Sequence, residues 1–453
     1  MIMAMEGRSR KLDRRDWPAF LNRIVPQGVW QSLSRSSKQS KGDPPSRDDP
    51  RIRWSRKFVV LAYIAIGWAA PRTLGERFDQ ARQWVVDLFP SRRRPGRTYV
   101  GLTKAAGRHG VELFHQFWNA LRCTMASRAH EAWNQYGWIP FAVDGSRVDA
   151  ARTRANEADL GQAARDKSHP QWWMTWIVHL PTLMLWDWRQ GPGTSSERTH
   201  LREMARDLPA EALIIADGGF GGFDFLSHLD QTGVRFLVRC GGNATFESRW
   251  TLNEIEQRGD ASSVFLWPKS RRRRRPLRVR QIVLKRGGRR VYLVTNVFDR
   301  TALSRSMAGE FYELRWGAEV NYRDFKCSMG RSKMLAQTPD CGAFELAGAI
   351  VAMGLLRLHA AILQLAKGAR ASIAELLRLI RKAMEHLRYR RSTAWLIPAL
   401  EQAVTDDYHR KRPKKSRDWP RKKRQRPPTA PTYRKLNQRE WTHLCDQIHK
   451  HAA

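Results

Sequence analysis

The chain has 453 residues, enough for two to four domains and a sizeable core. Lys and Arg number 81 against 43 Asp and Glu, a formal charge of +38 that points to a polyanionic partner, most simply nucleic acid. Nineteen tryptophans argue against a short ribosomal or chromatin protein and for a large, well-packed interior.

The amino terminus, MIMAMEGRSRKLDRRDW, has no apolar stretch of the kind a secretory signal needs, so a cytoplasmic protein is expected. Trp17, Phe20 and Trp30 mark a short amphipathic piece, and residues 34–51, SRSSKQSKGDPPSRDDPR, read as a flexible linker. From Phe58 to Ser127 the pattern is helical. The SRRRPGR turn at 91–97 separates two of these helices, which suit either a helix-turn-helix lying in a major groove or a plain bundle packed on the next domain. Residues 1–135 are expected to be one helical region. Phe58–Ala70 and Leu346–Leu365 are apolar, but the first is short and the second is interrupted by Arg357 and His359; both read as buried helices, with no membrane partner. The five cysteines are odd in number and lack CxxC spacing, which suits a reduced compartment without structural zinc.

From Trp138 the period changes. WIPFAVDGSRVDA reads as a strand ending at Asp144-Gly145 with a turn behind it. WWMTWIVHLP and TLMLWDWRQ read as two more strands, with Trp172, Trp173 and Trp176 in the core. A loop and helix follow, in which Glu197 and His200 read as a capping pair at the helix start rather than as chemistry. ALIIA is a fourth strand stopping at Asp217-Gly218-Gly219; another helix and a fifth strand, VRFLVRC, complete the order. Residues 241–300 read as a β-rich insertion, in which LRVRQIVLKR and RRVYLVTNV form a hairpin through Gly287-Gly288. Within it, Arg271–Arg275 suit either a solvated loop or a phosphate-contacting one. The expected catalytic core is thus discontinuous, 136–240 and 301–368. Residues 369–453 give C-terminal helices, one opened by a capping box of Ser372 and Glu375, and a basic tail, His409–Arg424, expected to order only on nucleic acid.

One stretch organises the rest: Phe311–Met329, FYELRWGAEVNYRDFKCSM. On a regular helix Tyr312, Arg315, Glu319 and Lys326 fall within an arc of roughly 60°, with Arg323 close to the stripe. The bland alternative is a solvated face with an i,i+4 pair between Glu319 and Arg323. Against it, a lone acid among cations suits a site that holds phosphodiester oxygens beside a metal. Trp316 lies near this face and reads as core, with stacking on an unpaired base as the alternative. In an α/β, ribonuclease H-like layout the first and fourth strands are neighbours and this helix crosses their ends, so Asp144, Asp217 and Glu319 converge. Their repulsion would be relieved by divalent cations, Mg²⁺ or Mn²⁺ for all-oxygen ligands, expected as a pair. Asp149, Asp187 and Asp224 are rival acids.

These residues carry a resemblance. The spacing of Tyr312, Arg315, Glu319 and Lys326 resembles the Y-R-E-K signature of bacterial DDE transposases of the insertion-sequence-four family. FAVDGSRVDAARTRAN and IIADGGFGGFDFL are similar to that family's two aspartate motifs, although Gly218 stands where many relatives carry arginine. A β-rich insertion before the glutamate is also a family feature, and the resemblance spans about Thr98 to Leu365.

The resemblance implies an enzyme that binds the terminal inverted repeats of its element, cuts phosphodiester bonds there and transfers the 3′ ends to target DNA. It implies Asp144, Asp217 and Glu319 as ligands of both metals, Arg315, Lys326 and Arg323 on phosphates, and Tyr312 hydrogen-bonded to one of them. It also implies double-stranded DNA as partner, a homodimer when assembled on it, and a bacterial, nucleoid-associated setting. The rival readings are a nuclease of the same fold that joins nothing and a non-catalytic DNA-binding protein derived from a transposase.

Overall fold

The structure is a computed structural model and describes residues 16–33, 53–89, 94–161, 169–242, 244–268, 275–286, 289–389, 391–404 and 429–449. The linker at 34–51, the first four arginines of the 271–275 run, the Gly287-Gly288 turn and the basic tail at 409–424 lie outside these residues.

Ten strands form one sheet. In chain order they are β1 (Ile139–Asp149), β2 (Gln171–His179), β3 (Leu185–Pro192), β4 (Ala212–Ala216), β5 (Arg235–Cys240), β6 (Thr245–Ser248), β7 (Asp260–Leu266), β8 (Leu277–Arg286), β9 (Arg289–Thr295) and β10 (Thr432–Lys435). Their spatial order is β10-β6-β7-β8-β9-β5-β4-β1-β2-β3. β1 runs antiparallel to β2 and parallel to β4, and β4 runs parallel to β5. The first and fourth strands are therefore neighbours, as expected. A short helix, Arg154–Leu160, intervenes between β1 and β2, which the sequence reading omitted.

The β-rich segment after β5 extends this same sheet, because β9 pairs antiparallel with β5. β10 then adds to its far edge beside β6, and the following helix, Gln438–His449, packs Trp441 edge-on against Phe265. No periodicity in the C-terminal region signalled that strand: it is four residues long, flanked by basic sequence, and its partner is remote.

β1 does not end at Asp144. It continues for five more residues to Asp149, with Asp144 facing Trp176 and Gly145 facing Thr175 on β2. The strand goes on because β2 supplies partners along its whole length, whereas β4 pairs only from Ile139 to Ala142. That mismatch makes a fork between β1 and β4.

The helices at both ends of the chain pack into the main core. Arg56–Trp68 is buried from Val59 to Trp68 and lies against the 29-residue helix Pro339–Lys367. Their backbones approach closely: a β-carbon on Gly348 would lie 2.6 Å from Tyr63 Cβ, and one on Gly67 would lie 2.7 Å from Ala352 Cβ. Arg331, itself buried, donates to the carbonyls of Ile66, Gly67 and Ala69 and so satisfies the end of the first helix. Pro339–Lys367 is long and apolar enough to cross a bilayer, but 94% of its most apolar window is buried inside the protein. The helices flanking the 91–97 turn, Leu74–Leu88 and Tyr99–Gly107, put Phe78, Trp84 and Leu102 into this core. At Ser372 half of the capping box forms: Ser372 Oγ accepts from Glu375 N, while the Glu375 carboxylate pairs with Arg378.

Candidate active site

The two aspartates meet at the fork. The last paired residues of β1 and β4 are Ala142 and Ile215, and two residues further along each strand come Asp144 and Asp217. Parallel strands lie about 4.8 Å apart and alternate their faces, so equal steps beyond a matched pair bring both side chains to the same face. Each aspartate accepts a nearby backbone N–H, Asp144 Oδ1 from Gly145 at 2.9 Å and Asp217 Oδ1 from Gly219 at 2.8 Å.

The organising stretch is not one regular helix. Arg305–Leu314 and Trp316–Arg323 meet at Arg315, and Asp324–Ser328 form a π turn. Tyr322 docks this stretch on the sheet. Its ring stacks on Trp176, with centroids 4.5 Å apart, and its hydroxyl donates to the Asp144 carbonyl at 2.6 Å. Trp176 shares the face of Asp144, so the helix covers that face and delivers Glu319 to the aspartates. Burial first, then the negative charges of Asp217 and Glu319, push the Asp144 carboxyl up to about 6; the Gly145 N–H and the Arg315 guanidinium pull the other way.

The other residues of the organising stretch lie as follows in the fold. Arg315 is 5% exposed; its guanidinium lies over the Tyr312 ring and 3.5 Å from Glu319 Oε1. Arg315 Nε and the Tyr312 hydroxyl are buried with no hydrogen-bond partner. Lys326 donates to Ser146 Oγ on β1 at 2.7 Å, on the same face as Asp144. Arg323 is solvent-exposed and 3.9 Å from Asp324, an acid that Arg357 holds from the other side. Trp316 is 59% exposed, so the expectation that it packs in the core is overturned: at the break between two helices its ring lies over the Arg315 guanidinium instead. Trp172 and Trp176 are core residues; Trp173 is only half-buried, under the Arg147 guanidinium.

Two of the three rival acids lie in other networks. Asp149 accepts from Gln171 and pairs with His169, and Asp187 is buried between Arg122 and Arg189.

Glu197, read from the sequence as half of a capping pair, lies beside the two aspartates instead. Its helix, Glu197–Met204, has Ser196 at the N-cap with no side-chain capping bond, and His200 Nδ1 pairs with Thr175 Oγ1, so the two are not a capping pair. Gly145 and Thr175 mark the face of the sheet opposite Asp144, and Glu197 approaches from there. A β-carbon on Gly145 would lie 2.6 Å from Glu197 Oε2; one on Gly219 would lie 2.9 Å from both Glu197 Oε1 and Asp217 Oδ1. Burial, then Asp217 and Asp144, push the Glu197 carboxyl up to about 7, against the pull of Arg198 and Arg147. Arg198 in turn binds the Gly219 carbonyl and fixes the turn after β4. The signal was available in the glycines beside each aspartate, which leave room for one more side chain.

The donor set suits a hard divalent cation, since it consists of carboxylate oxygens whose repulsion a cation would relieve. As the side chains stand, no three His, Cys, Asp or Glu among the described residues close around a common ion position.

Residues 139–353 match the family described as Transposase DDE domain, from the first residue of β1 into the Pro339–Lys367 helix. The match supports a DDE transposase, a class of metal-dependent DNA-cleaving enzymes that generally use divalent ions. No curated protein matches the chain. Among solved structures, one similar chain is that of the piggyBac transposase synaptic complex with hairpin DNA, determined by cryo-EM. It is 11% identical over 86% of each chain with a TM-score of 0.41, a likeness too slight to assign the fold.

Proposed function

We propose that this chain is a transposase of the insertion-sequence-four kind, with a ribonuclease H-like core. In this reading it binds the terminal inverted repeats of its element, cleaves phosphodiester bonds at their ends and transfers the 3′ ends to target DNA. What supports it is that Asp144 and Asp217 stand at equal steps beyond the β1–β4 pairing and that the charges of Asp217 and Glu319 both bear on the Asp144 carboxyl, inside the segment that matches the DDE domain. The strand order β3-β2-β1-β4-β5 and the helix crossing the fork support the ribonuclease H-like layout.

Asp144, Asp217 and Glu319 are the residues that would hold Mg²⁺ or Mn²⁺. Bound there, the ions supply Lewis-acid stabilisation of the phosphate and a more acidic attacking water. Arg315 and Lys326 lie on the same side of the sheet as the acids and would bind phosphates flanking the cut. The Tyr312 hydroxyl and Arg315 Nε, buried without acceptors, have donors available for phosphate oxygens. Tyr322 fixes the main chain at Asp144 and so holds that carboxylate in place. Trp316, exposed beside Arg315, is free to stack on an unpaired base. The net charge of +38 favours double-stranded DNA as the partner, with log K falling by ~0.9 per neutralised phosphate as salt rises.

The test uses a duplex carrying the inverted repeats that flank the coding sequence. With Mn²⁺ the protein is expected to nick the repeat ends and join them to a target duplex. Asp144→Asn and Glu319→Gln should reduce nicking to background while still shifting the duplex in a gel. Nicking without joining indicates the nuclease reading, and full nicking by Glu319→Gln removes the assignment of that residue.

A further inference from the structure

We propose that Leu183, in the turn between β2 and β3, is a positioning residue that sets how far Glu319 stands across the sheet toward the aspartates. This rests on the reading of Glu319 given above and adds the part of the fold that aims it. The contact is with the helix backbone: a β-carbon on Gly317 would overlap Leu183 Cδ2, so the leucine fills the place of the missing side chain. Four residues on, Asn321 is 1% exposed and donates from Nδ2 to the Leu183 carbonyl at 3.1 Å. At about 100° per residue, Gly317 and Asn321 share one flank of the Trp316–Arg323 helix, whereas Glu319 falls roughly 160° from Asn321, on the other. β2 and β4 stand on opposite sides of β1. The turn therefore bears on the flank away from β4, and Glu319 lies on the flank toward it, where its charge reaches Asp144.

The turn is braced for this contact. Leu183 has φ +56°, a left-handed conformation that turns usually give to glycine or asparagine. Such a residue persists only where its surroundings fix it. Here His179 N donates to the Met184 carbonyl and Leu180 N to the Pro140 carbonyl, both at 2.9 Å. The Thr182 hydroxyl donates to His179 Nδ1 at 2.7 Å, and His179 Nε2 donates to the Trp133 carbonyl at 3.1 Å. Chain reversal alone does not call for a leucine at this position; the contact with Gly317 does. The helix is thus held on its flank by Leu183 and on the sheet by Tyr322.

The experiment is a double-mutant cycle between residues 183 and 317. It reads Mn²⁺-dependent nicking of the terminal-repeat duplex by the full-length chain, with a gel shift and a melting temperature for each variant. Leu183→Ala is expected to slow nicking at saturating DNA about tenfold, with the DNA concentration for half-maximal rate unchanged. Gly317→Ala should act oppositely in the two backgrounds: it slows nicking where Leu183 occupies the space, and speeds it about threefold or more in Leu183→Ala, whose gap the added carbon fills. A role in stability alone would not reverse sign, since alanine improves a helix in either background. Asn321→Ala, which releases the Leu183 carbonyl, should slow nicking in the same way and serves if Leu183→Ala does not fold. If Leu183→Ala nicks at the wild-type rate, or Gly317→Ala acts alike in both backgrounds, the positioning role is overturned and the transposase reading stands. If the wild type itself never nicks, both fall together.

Discussion

Two phenols on neighbouring helices divide the labour of the organising stretch. Tyr322 donates to the Asp144 carbonyl at 2.6 Å and accepts from Trp176 N at 3.0 Å, so it ties the helix, β1 and β2 at one point. Tyr312 has a buried hydroxyl with no partner. A buried group that loses its partner costs free energy, whereas removing an unpaired one costs little. Tyr322→Phe should therefore destabilise the protein by about 1–3 kcal/mol in urea unfolding, by stranding a buried backbone donor and acceptor. Tyr312→Phe should leave stability unchanged or raise it, yet lower the rate of nicking. Equal stability losses in the two variants would contradict this division.

At the scale of elements, close packing and one irregular turn set the site. The π turn Asp324–Ser328 is pinned at its first residue by Arg357, which comes from the Pro339–Lys367 helix. π turns use i→i+5 bonds, so angular positions beyond Arg323 do not follow from a regular helix. Lys326 nonetheless reaches Ser146 on β1, because Tyr322 and Phe325 pack on Trp176 and fix the height of the turn. The helix carrying Arg357 is held by its glycine contact with Arg56–Trp68. Gly348→Ala should cost about 1–3 kcal/mol, since the added carbon would also lie 2.9 Å from the Tyr63 carbonyl oxygen, which cannot rotate away. Differential scanning calorimetry checks this; an unchanged melting temperature would show that the helices can part without loss.

Across the whole molecule, acid should act through buried imidazoles. Burial pushes His115 down to about 3, and His179 and His359 down to about 4. The unfolded chain then binds more protons than the folded one between roughly pH 6.5 and 4, so these groups withdraw stability as pH falls through that window. Asp144 and Glu197 act with the opposite sign: the folded state takes their protons first, and they return some stability as pH falls from about 7 to 4. His359 separates the two effects, because both its ring nitrogens lack partners and it lies far in sequence from the acids. His359→Leu should lose less stability than the wild type between pH 6.5 and 4, measured as melting temperature against pH. Parallel curves would place the acid sensitivity elsewhere.

Residue type, apolar runs and turn residues determined most of the secondary structure and singled out Asp144, Asp217 and Glu319 as candidates. β4 and Arg56–Trp68 are legible as unbroken apolar runs, because each is buried on every side, and aromatic and β-branched residues bounded by turns mark β2. Only the tertiary structure decided where β1 stops, since its end is set by how far β2 runs beside it rather than by the Asp144-Gly145 pair. Likewise Trp316 is exposed although a large aromatic ring reads as core, because the fold sets no apolar surface against it. Glu197 joined the site through two glycines, one on β1 and one after β4, that only the folded sheet sets beside it. Residues far apart in the chain had first to be made neighbours before their shape and charge could act on one another.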